Sequence, residues 1–280
     1  MSRANCASLA CLLVLFCWAV KGRTADSPDL PAALVLATQQ GQVNTIDLTY
    51  PLDDQSPFWP EGSPRSPFHA ETSATYARDG FFARSLQLPE HFGTHLDAPL
   101  HFDPQGQSVE QLSVKNFFLP AVVVDVSASL NSNPDYRLTV QDIQNWEKSH
   151  GPVPAGAAVL LRTGWGTRWP SQDRYINQDA KGVMHFPGFS LEAARYLLDH
   201  AHPKVFGIDT TSIDYGPSQN FEVHHLTLRA GLYHLENLAN LELLPPTGAV
   251  LVALPMNLRG GSGAPARVVA LIAAPPAGQP

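Results

Sequence analysis

The sequence has no cysteine beyond residue 17, because its three cysteines are Cys6, Cys11 and Cys17. A thiolate nucleophile, a cysteine metal ligand and a disulfide framework are therefore excluded for the rest of the chain. The sequence also has no excess of basic residues: 18 Lys and Arg stand against 25 Asp and Glu, and the formal net charge is −7. Nucleic-acid binding calls for a basic face, so we expect no nucleic-acid partner.

The N-terminal apolar run, residues 9–20, is shorter than the about 20 residues that a membrane-spanning helix needs. Arg3 precedes the run, and small residues at Gly22 and Ala25 follow it, which is the order found in secretory signal peptides. We therefore predict a signal peptide over residues 1–22, a secreted or extracytoplasmic protein, and no membrane association after signal removal. A buried N-terminal helix or a retained anchor is the alternative.

The rest of the sequence predicts a lead-in segment over residues 23–43 and a single domain over residues 44–280. Its prolines and glycines are scattered, which indicates many loops rather than one linker. Thr139, with Asp142 three positions later, predicts a helix to about Ser149 that stops at Gly151. Ser190 predicts a second helix to about His200.

Apolar and β-branched runs predict more strands than helices. The predicted strands cover residues 121–126, 157–162, 205–209, 232–238, 249–254 and 267–272. This balance favours an α+β fold with mixed sheets over a doubly wound sheet.

The most informative segment covers residues 91–102 and reads HFGTHLDAPLHF. In an extended chain, alternate side chains share a face, so His91, His95 and Asp97 would project from one side. A helix would turn Asp97 away from the two histidines. Two imidazoles and a carboxylate suit a divalent ion and leave positions open for water, as in catalytic metal sites. The alternative to a metal site is that these histidines are polar surface residues or hydrogen-bonded core residues.

His101 follows Pro99 on the chain that leaves this segment, so it is better placed for proton transfer than for ligation. A second cluster, His224 and His225 with Glu236, is weak by itself, and solvated residues would explain it. Residues 207–214 precede this cluster and read as a strand end that leads into a polar loop, where catalytic groups tend to lie.

The segment 91–102 matches the signature of the metal-dependent cyclase family, which includes bacterial-type kynurenine formamidases and isatin hydrolases. The resemblance extends through most of the domain, over residues 47–52, 57–60, 161–165, 209–214, 224–237 and 260–267. It implies a swivelling β/β/α-type fold with mixed sheets and a protein that self-associates as a homo-oligomer.

The resemblance also implies roles for particular residues. His91, His95 and Asp97 match the ligands of a first metal, and Asp97 would bridge to a second ion held by His224 and Glu236. His224 is preferred to His225 because it keeps the matched spacing of twelve to Glu236. His101 matches the residue that transfers protons. The implied cofactor is a divalent metal, Zn or Mn, as one or two ions.

The predicted reaction is hydrolysis of a small aromatic amide. N-formylkynurenine-type arylformamidase activity ranks first, and isatin hydrolase-type opening of a cyclic amide ranks second. Aromatic side chains would line the substrate pocket, with ordinary core packing as the alternative for each: Trp59, Phe81, Phe82 and Trp165. Arg84 or Arg162 could meet a substrate carboxylate, although a salt bridge within the protein explains either arginine equally well.

Two other functions remain open for the same residues. The protein could be a non-catalytic secreted metal-binding protein on this scaffold, or a cyclase or dehydratase that acts on a polyketide-like carbonyl compound.

Overall fold

A computed structural model describes residues 29–60, 65–130 and 133–275. The predicted signal peptide and all three cysteines lie outside these residues. The chain divides into two compact units, residues 1–43 and 44–280. The first contains helix α1 (Leu30–Gln39), where the side chain of Asp29 accepts a hydrogen bond from the backbone N–H of Ala32. In the described part of the chain, no helix combines the length and apolar character needed to cross a membrane.

The second unit contains a mixture of strands and helices. Its strands are β1 (Val43–Asp47), which begins at the boundary, β2 (His69–Ala74), β3 (Ala83–Gln87), β4 (His95–Asp97), β5 (Phe118–Asp125), β6 (Arg137–Leu138), β7 (Ala158–Arg162), β8 (Gly188–Phe189), β9 (Val205–Ile208), β10 (Tyr233–Glu236), β11 (Ala249–Pro255) and β12 (Gly263–Ala273). Its helices are α2 (Tyr76–Asp79), α3 (Val140–His150), α4 (Gln172–Ile176), α5 (Leu191–His200) and α6 (Glu222–Arg229).

The main sheet closes on itself. Its strand order is β12, β11, β5, β7, β9, β10, β4; β4 pairs back with β12, and β1 also pairs with β12. Strands β5, β7, β9 and β10 are parallel and are joined through the crossover helices α3, α5 and α6. Antiparallel pairings complete the barrel. The predicted α+β fold with mixed sheets is confirmed, although its parallel half is built from helix crossovers.

Alternation along the strands produces two hydrophobic layers. On β5, Val123 packs into the barrel interior with Leu160 and Leu251. Its neighbours Val122 and Val124 face the helices instead. The helices supply buried side chains to this second layer, among them Ile143, Trp146, Ala193, Ala194, Leu197 and Val223. The barrel wall is therefore buried on both faces in its parallel half, as β-branched runs without polar residues indicate.

Both predicted helices begin at their predicted caps. Thr139 accepts a hydrogen bond from the backbone of Asp142, and the Asp142 carboxylate accepts one from the backbone of Thr139, so the capping box is complete. This helix ends at Gly151, whose φ of 86° suits glycine. The Ser190 side chain caps α5 by accepting from Ala193. Local chemistry was therefore enough to place these two elements.

The prediction of one extended segment from His91 to Asp97 is wrong in its first half. The strand begins only at His95, because Gly93 has a left-handed φ of 62° that interrupts the alternation. A side chain at Gly93 would also collide with Leu52. As a result, Phe92 lines a pocket and does not join Leu96 and Ala98 on the barrel side.

Candidate metal centre

Pairing of β4 with β10 brings the polar residues of two distant segments together. The antiparallel register places His234 opposite Asp97 and Glu236 opposite His95. Between them Leu96 pairs with Leu235, and both leucines belong to the barrel interior. Because alternate side chains of a strand point to opposite faces, the four polar side chains share the outer face. All four are almost completely buried.

Helix α6 covers this face and adds a further histidine. His224 Nε2 lies 3.5 Å from Asp97 Oδ2 and 3.3 Å from Glu236 Oε1. The neighbouring His225 turns away, and its ring packs edge-on against Phe102 with ring centroids 4.8 Å apart. The structure therefore brings His224, and not His225, to the two carboxylates.

Four histidines around these carboxylates share one arrangement. In each of them, one ring nitrogen contacts a polar oxygen of the surrounding protein, and the other ring nitrogen faces Asp97 or Glu236. The holding partners are Ser262 Oγ for His91 Nε2 (3.0 Å), Gly93 O for His95 Nδ1 (2.9 Å), Asp214 Oδ2 for His224 Nδ1 (2.7 Å) and Thr227 Oγ1 for His234 Nε2 (2.7 Å). Such outer contacts fix the tautomer and the ring orientation of histidines that bind metals.

The Asp97 carboxylate lies between two sets of histidines. Its Oδ1 faces His91 Nδ1 at 2.6 Å and His95 Nε2 at 3.1 Å. Its Oδ2 faces His224 Nε2 and His234 Nδ1, at 3.5 Å and 3.6 Å. Glu236 has a similar position, with Oε2 3.5 Å from His95 Nε2 and Oε1 toward His224. Each carboxylate can therefore contact two cations at once.

The surroundings shift the pKa values of these buried groups in opposite directions. Burial alone would raise the pKa of Asp97, but the surrounding histidines outweigh it and hold that pKa well below its usual range. Burial and the charge of Asp97 raise the pKa of Glu236. Burial would lower the pKa of His95, yet the carboxylates of Asp97 and Glu236 raise it to about 9. Strongly perturbed pKa values of this kind are typical of functional sites.

Two buried polar atoms at the centre of the site indicate that a metal ion fits between them. Asp97 Oδ2 and His234 Nδ1 have no hydrogen-bond partner among the described residues. Buried polar groups are nearly always satisfied, so a pair of unsatisfied atoms that face each other needs an explanation. The ligand atoms of Asp97, His224, His234 and Glu236 all lie within 4.8 Å of one another, as do those of His91, Asp97 and His101. Imidazole and carboxylate donors at this spacing fit a divalent ion.

A pocket of about 410 Å³ opens onto this centre. His101 ends a 3-10 turn (Pro99–His101) at its wall, and its ring stacks on that of His91 with centroids 4.0 Å apart. Partial burial, together with the neighbouring histidines, lowers the pKa of His101 below its usual value. The side chain is otherwise exposed to the pocket, so it can meet a bound molecule.

One predicted substrate residue lines this pocket and the other aromatic candidates do not. Trp59 is in the wall, together with Phe58, Phe102 and Phe221. Phe81 and Phe82 lie on the β2–β3 hairpin, more than half exposed and outside the described wall of the pocket. The prediction that these two residues line the substrate pocket is therefore wrong, because their hairpin forms a separate two-stranded sheet.

Trp165 is a second correction, because it belongs to the core and not to the pocket. It is buried in a cluster with Tyr175, Ile176 and Phe186, and its indole N–H donates to the carbonyl of Tyr175. The two arginine candidates also lie elsewhere: Arg162 forms an ion pair with Asp125, and Arg84 lies on β3, in the β2–β3 sheet. Arg65 is the arginine in the described wall of the pocket.

Comparisons with known proteins show the family of this chain. The family model described as putative cyclase matches residues 46–215. The chain belongs to this cyclase family. An isatin hydrolase from Roseibium aggregatum is 33% identical over 250 residues, which cover 83% of this chain and 93% of that protein. A kynurenine formamidase from Salinibacter ruber is 33% identical over 189 residues, covering 66% and 77% respectively.

Solved cyclase-family structures share the fold. Isatin hydrolase A from Ralstonia solanacearum superposes with a TM-score of 0.83 at 36% identity, over 89% of this chain and all of that one. An isatin hydrolase bound to the product analogue thioisatinate gives 0.82 at 30% identity, over 88% and 99%. A predicted metal-dependent hydrolase from Bacillus stearothermophilus gives 0.63 at 25% identity, over 82% and 98%. The protein is accordingly a metal-dependent hydrolase, as the sequence predicted.

Sequence reasoning missed three residues at the centre of this cyclase-family site. His234 lies in a predicted strand two positions before Glu236, so alternation alone would have placed both on one face. Ser262 and Glu90 come from loops, where the Ser262 hydroxyl donates to Glu90 and its oxygen contacts His91. These contacts join residues about 170 positions apart, so no local pattern indicates them.

Proposed function

We propose that the protein hydrolyses a small aromatic amide, with isatin-type opening of a cyclic amide as the first candidate reaction. The proposal rests on one observation: buried imidazoles and a second carboxylate surround Asp97 at the base of an aromatic pocket. At the same 33% identity, the isatin hydrolase match covers 83% of this chain and the kynurenine formamidase match 66%, and isatin hydrolase structures superpose with TM-scores of 0.82 and 0.83, which favours the cyclic amide.

His91, His95 and Asp97 would hold the first metal, Zn or Mn. Asp97 would also contact a second ion held by His224 and Glu236. A divalent ion at such a site lowers the pKa of water and polarises a carbonyl group. The protein orients the histidine ligands through hydrogen-bond partners of their second ring nitrogens. These partners are Ser262 for His91, Gly93 for His95 and Asp214 for His224.

His101 would transfer the proton. Opening the amide breaks a carbon–nitrogen bond, and the departing aryl nitrogen needs a proton. A neutral imidazole can take a proton from the attacking water and deliver it to that nitrogen. The lowered pKa of His101 keeps its ring neutral near pH 7, so it begins the reaction as a base. Its ring contacts with His91 and Phe102 hold it at the pocket wall.

The pocket suits a flat aromatic substrate. Its aromatic wall includes Phe58, Trp59 and Phe221, and ligand pockets of about 300–1,000 Å³ with few polar groups are usual for small molecules. Two polar side chains of the wall can orient the substrate. They are Arg65 and Ser212, whose buried hydroxyl has no hydrogen-bond partner in the described part of the chain.

N-formylkynurenine-type arylformamide hydrolysis is the second candidate. The observation that favours it is the position of Glu236 between His95 and His224, which suits the two-metal arrangement that the family resemblance implies for formamidases. Both reactions release an aryl nitrogen, so the roles of the residues above are the same in either.

An absorbance assay with isatin and with N-formylkynurenine tests the proposal. The protein loaded with Zn²⁺ or Mn²⁺ should consume at least one of them, and a chelator should abolish the reaction. Faster turnover of isatin supports the first candidate, and faster turnover of N-formylkynurenine supports the second. Hydrolysis that persists after complete metal removal, or loaded protein that consumes neither compound, would contradict the proposal.

Export from the cytoplasm and self-association also belong to this proposal. The motivation for export is the order of basic, apolar and small residues at the N-terminus. Cell fractionation of the full chain tests it, and a protein retained unprocessed in the cytoplasm would oppose it. Light scattering of the purified protein tests self-association, which a monomer would refute.

A further inference from the structure

We propose that His234 is a fourth protein ligand of the second metal, so that this ion is enclosed by the protein while the first ion keeps the open positions. The proposal rests on the metal-dependent function above. Its ligand atoms are Asp97 Oδ2, His224 Nε2, Glu236 Oε1 and His234 Nδ1.

The hydrogen bonds of Thr227 fix the tautomer of His234. A threonine hydroxyl has one proton, and Thr227 Oγ1 donates it to the carbonyl of Val223 at 2.7 Å. His234 Nε2 lies 2.7 Å from the same oxygen, so it must be the N–H that donates there. The neutral ring then has a lone pair on Nδ1. The Nδ1 atom that carries this lone pair lies 3.6 Å from Asp97 Oδ2, which is an acceptor as well.

Two buried acceptors that face each other require a cation between them. The His234 Nδ1 to Asp97 Oδ2 distance is 3.6 Å, which is too long for a hydrogen bond, and neither atom has another partner among the described residues. Both side chains are fully buried, so bulk water does not solvate them. Leaving both atoms unsatisfied would destabilise the folded chain, because a buried polar group without a partner has lost its solvation and gained no hydrogen bond.

The spacing of the four ligand atoms matches a metal better than hydrogen bonding. Ligands about 2.1 Å from a tetrahedral ion lie about 3.4 Å from one another. The distances here are 3.5 Å between Asp97 Oδ2 and His224 Nε2, 3.3 Å between His224 Nε2 and Glu236 Oε1, and 3.6 Å between His234 Nδ1 and Asp97 Oδ2. By contrast, the His91 Nδ1 to Asp97 Oδ1 distance of 2.6 Å is that of a hydrogen bond.

The two sets of ligands also differ in their access to solvent. His224, His234, Glu236 and Asp97 are all buried, and four protein ligands complete a tetrahedral shell. The first set has three ligands, and His91 has 25% of its side chain exposed. Three ligands with an accessible side are typical of catalytic metal sites, and four buried ligands are typical of structural ones. The second ion should therefore exchange more slowly and should mainly stabilise the fold.

Metal titration with Co²⁺ and Zn²⁺ tests this assignment. The wild-type chain should bind two ions, and the more slowly exchanging Co²⁺ should show the intense visible absorption of a tetrahedral site. His234→Leu should lose that spectrum, and its affinity for the second ion should fall by more than the 10–100-fold typical of an outer contact. His225→Leu is the matched control, because its ring faces Phe102, and it should keep both ions.

Thr227→Val is a second variant that leaves all four ligands in place. It frees His234 Nε2 from its acceptor, so the Nδ1 lone pair is no longer enforced, and the second-site affinity should fall by about 10–100-fold. If His234→Leu does not fold, unchanged second-site affinity in Thr227→Val overturns the proposal. A folded His234→Leu protein with the wild-type cobalt spectrum overturns it directly.

The same titration separates this inference from the proposed function. A wild-type chain that binds a single ion and hydrolyses an aromatic amide would contradict the role of His234 and leave the function standing. A chain that binds no divalent ion would contradict both.

Discussion

Two buried aspartates end the strands on either side of β10, and they have opposite surroundings. Asp209 follows β9, and its carboxylate accepts hydrogen bonds from the backbone and hydroxyl of Thr163 and from the backbone of Gly164. Asp97 ends β4 and faces four histidines, with Oδ2 lacking any hydrogen-bond partner in the described residues. Both carboxylates are almost inaccessible to solvent.

The comparison teaches that burial alone does not identify a functional carboxylate. At Asp209 burial raises the pKa to about 6 despite the hydrogen bonds, which lower it. At Asp97 the histidines dominate and lower the pKa. A carboxylate whose oxygens all accept N–H and O–H donors ties strands together, whereas one with an unused oxygen is ready to bind a cation.

Asp97→Asn should have the largest effect on activity of any single change. It removes the charge of the carboxylate that faces all four histidines, so both ions should be lost. The loss of several kcal/mol of transition-state stabilisation corresponds to a decrease in kcat/KM of about 10³-fold or more. Elemental analysis for bound metal and an amide hydrolysis assay measure these two effects.

The stability of Asp97→Asn supplies the internal control. Adding Zn²⁺ to the metal-free wild type should raise Tm, because a ligand that binds only the folded state stabilises it. The variant should show no such rise. A variant that still gains stability with Zn²⁺ would show that Asp97 is not needed to bind the metal. The contrast drawn between Asp97 and Asp209 would then be wrong.

His101→Gln should give the next largest effect, a decrease in kcat of about 10²-fold or more, because general acid–base groups contribute about 10²–10⁴-fold. The metal content should stay at the wild-type level, because the proposed ligands of the first ion are His91, His95 and Asp97. The pH profile of kcat should also lose its acid limb, because the free base form of His101 is the one that accepts the proton. An unchanged pH profile would show that another group transfers the proton.

Asp209→Asn should leave metal binding intact and lower the free energy of unfolding by about 2–3 kcal/mol, because hydrogen bonds to a charged group are lost and an amide N–H₂ would face a backbone N–H. Denaturant titration of the variant measures the loss. Asp199→Asn, on the exposed face of α5, is the matched control and should change stability by less than about 0.5 kcal/mol. Loss of metal with retained stability would mean that the two aspartates had been assigned the wrong roles.

Thr163→Val should have the smallest effect, about 1–2 kcal/mol, because its hydroxyl donates to Asp209 Oδ1 at 2.6 Å and accepts from the backbone N–H of Trp165, while the backbone donors to Asp209 remain. We would measure the free energy of unfolding of this variant and of Asp209→Asn. The ratio of the two losses shows how much of the stabilisation by Asp209 comes from the hydroxyl donor of Thr163. Equal losses in the two variants would contradict the importance of the backbone N–H groups.

Much of the site could be predicted because its residues lie close together in sequence. Within residues 95–98 the alternation of polar and apolar side chains holds, with His95 and Asp97 on the outer face and Leu96 and Ala98 in the barrel. Residues 91–94 could not be predicted in this way, because Gly93 adopts a left-handed φ of 62° that interrupts the alternation of side chains. Predictions of the pocket aromatics were less accurate, since Trp165 and Phe81 are placed by packing between segments that are remote in the chain.

Short-range periodicity and side-chain chemistry were enough to predict two helix caps and six of the strands, and they predict that His91, His95 and Asp97 bind a cation. Contacts between segments that are distant in the chain set which residues meet these three. The register between β4 and β10 puts His234 and Glu236 opposite Asp97 and His95, and the packing of α6 turns His224 inward and His225 outward. Strand register and helix packing minimise the free energy of the whole barrel, so no local segment encodes them.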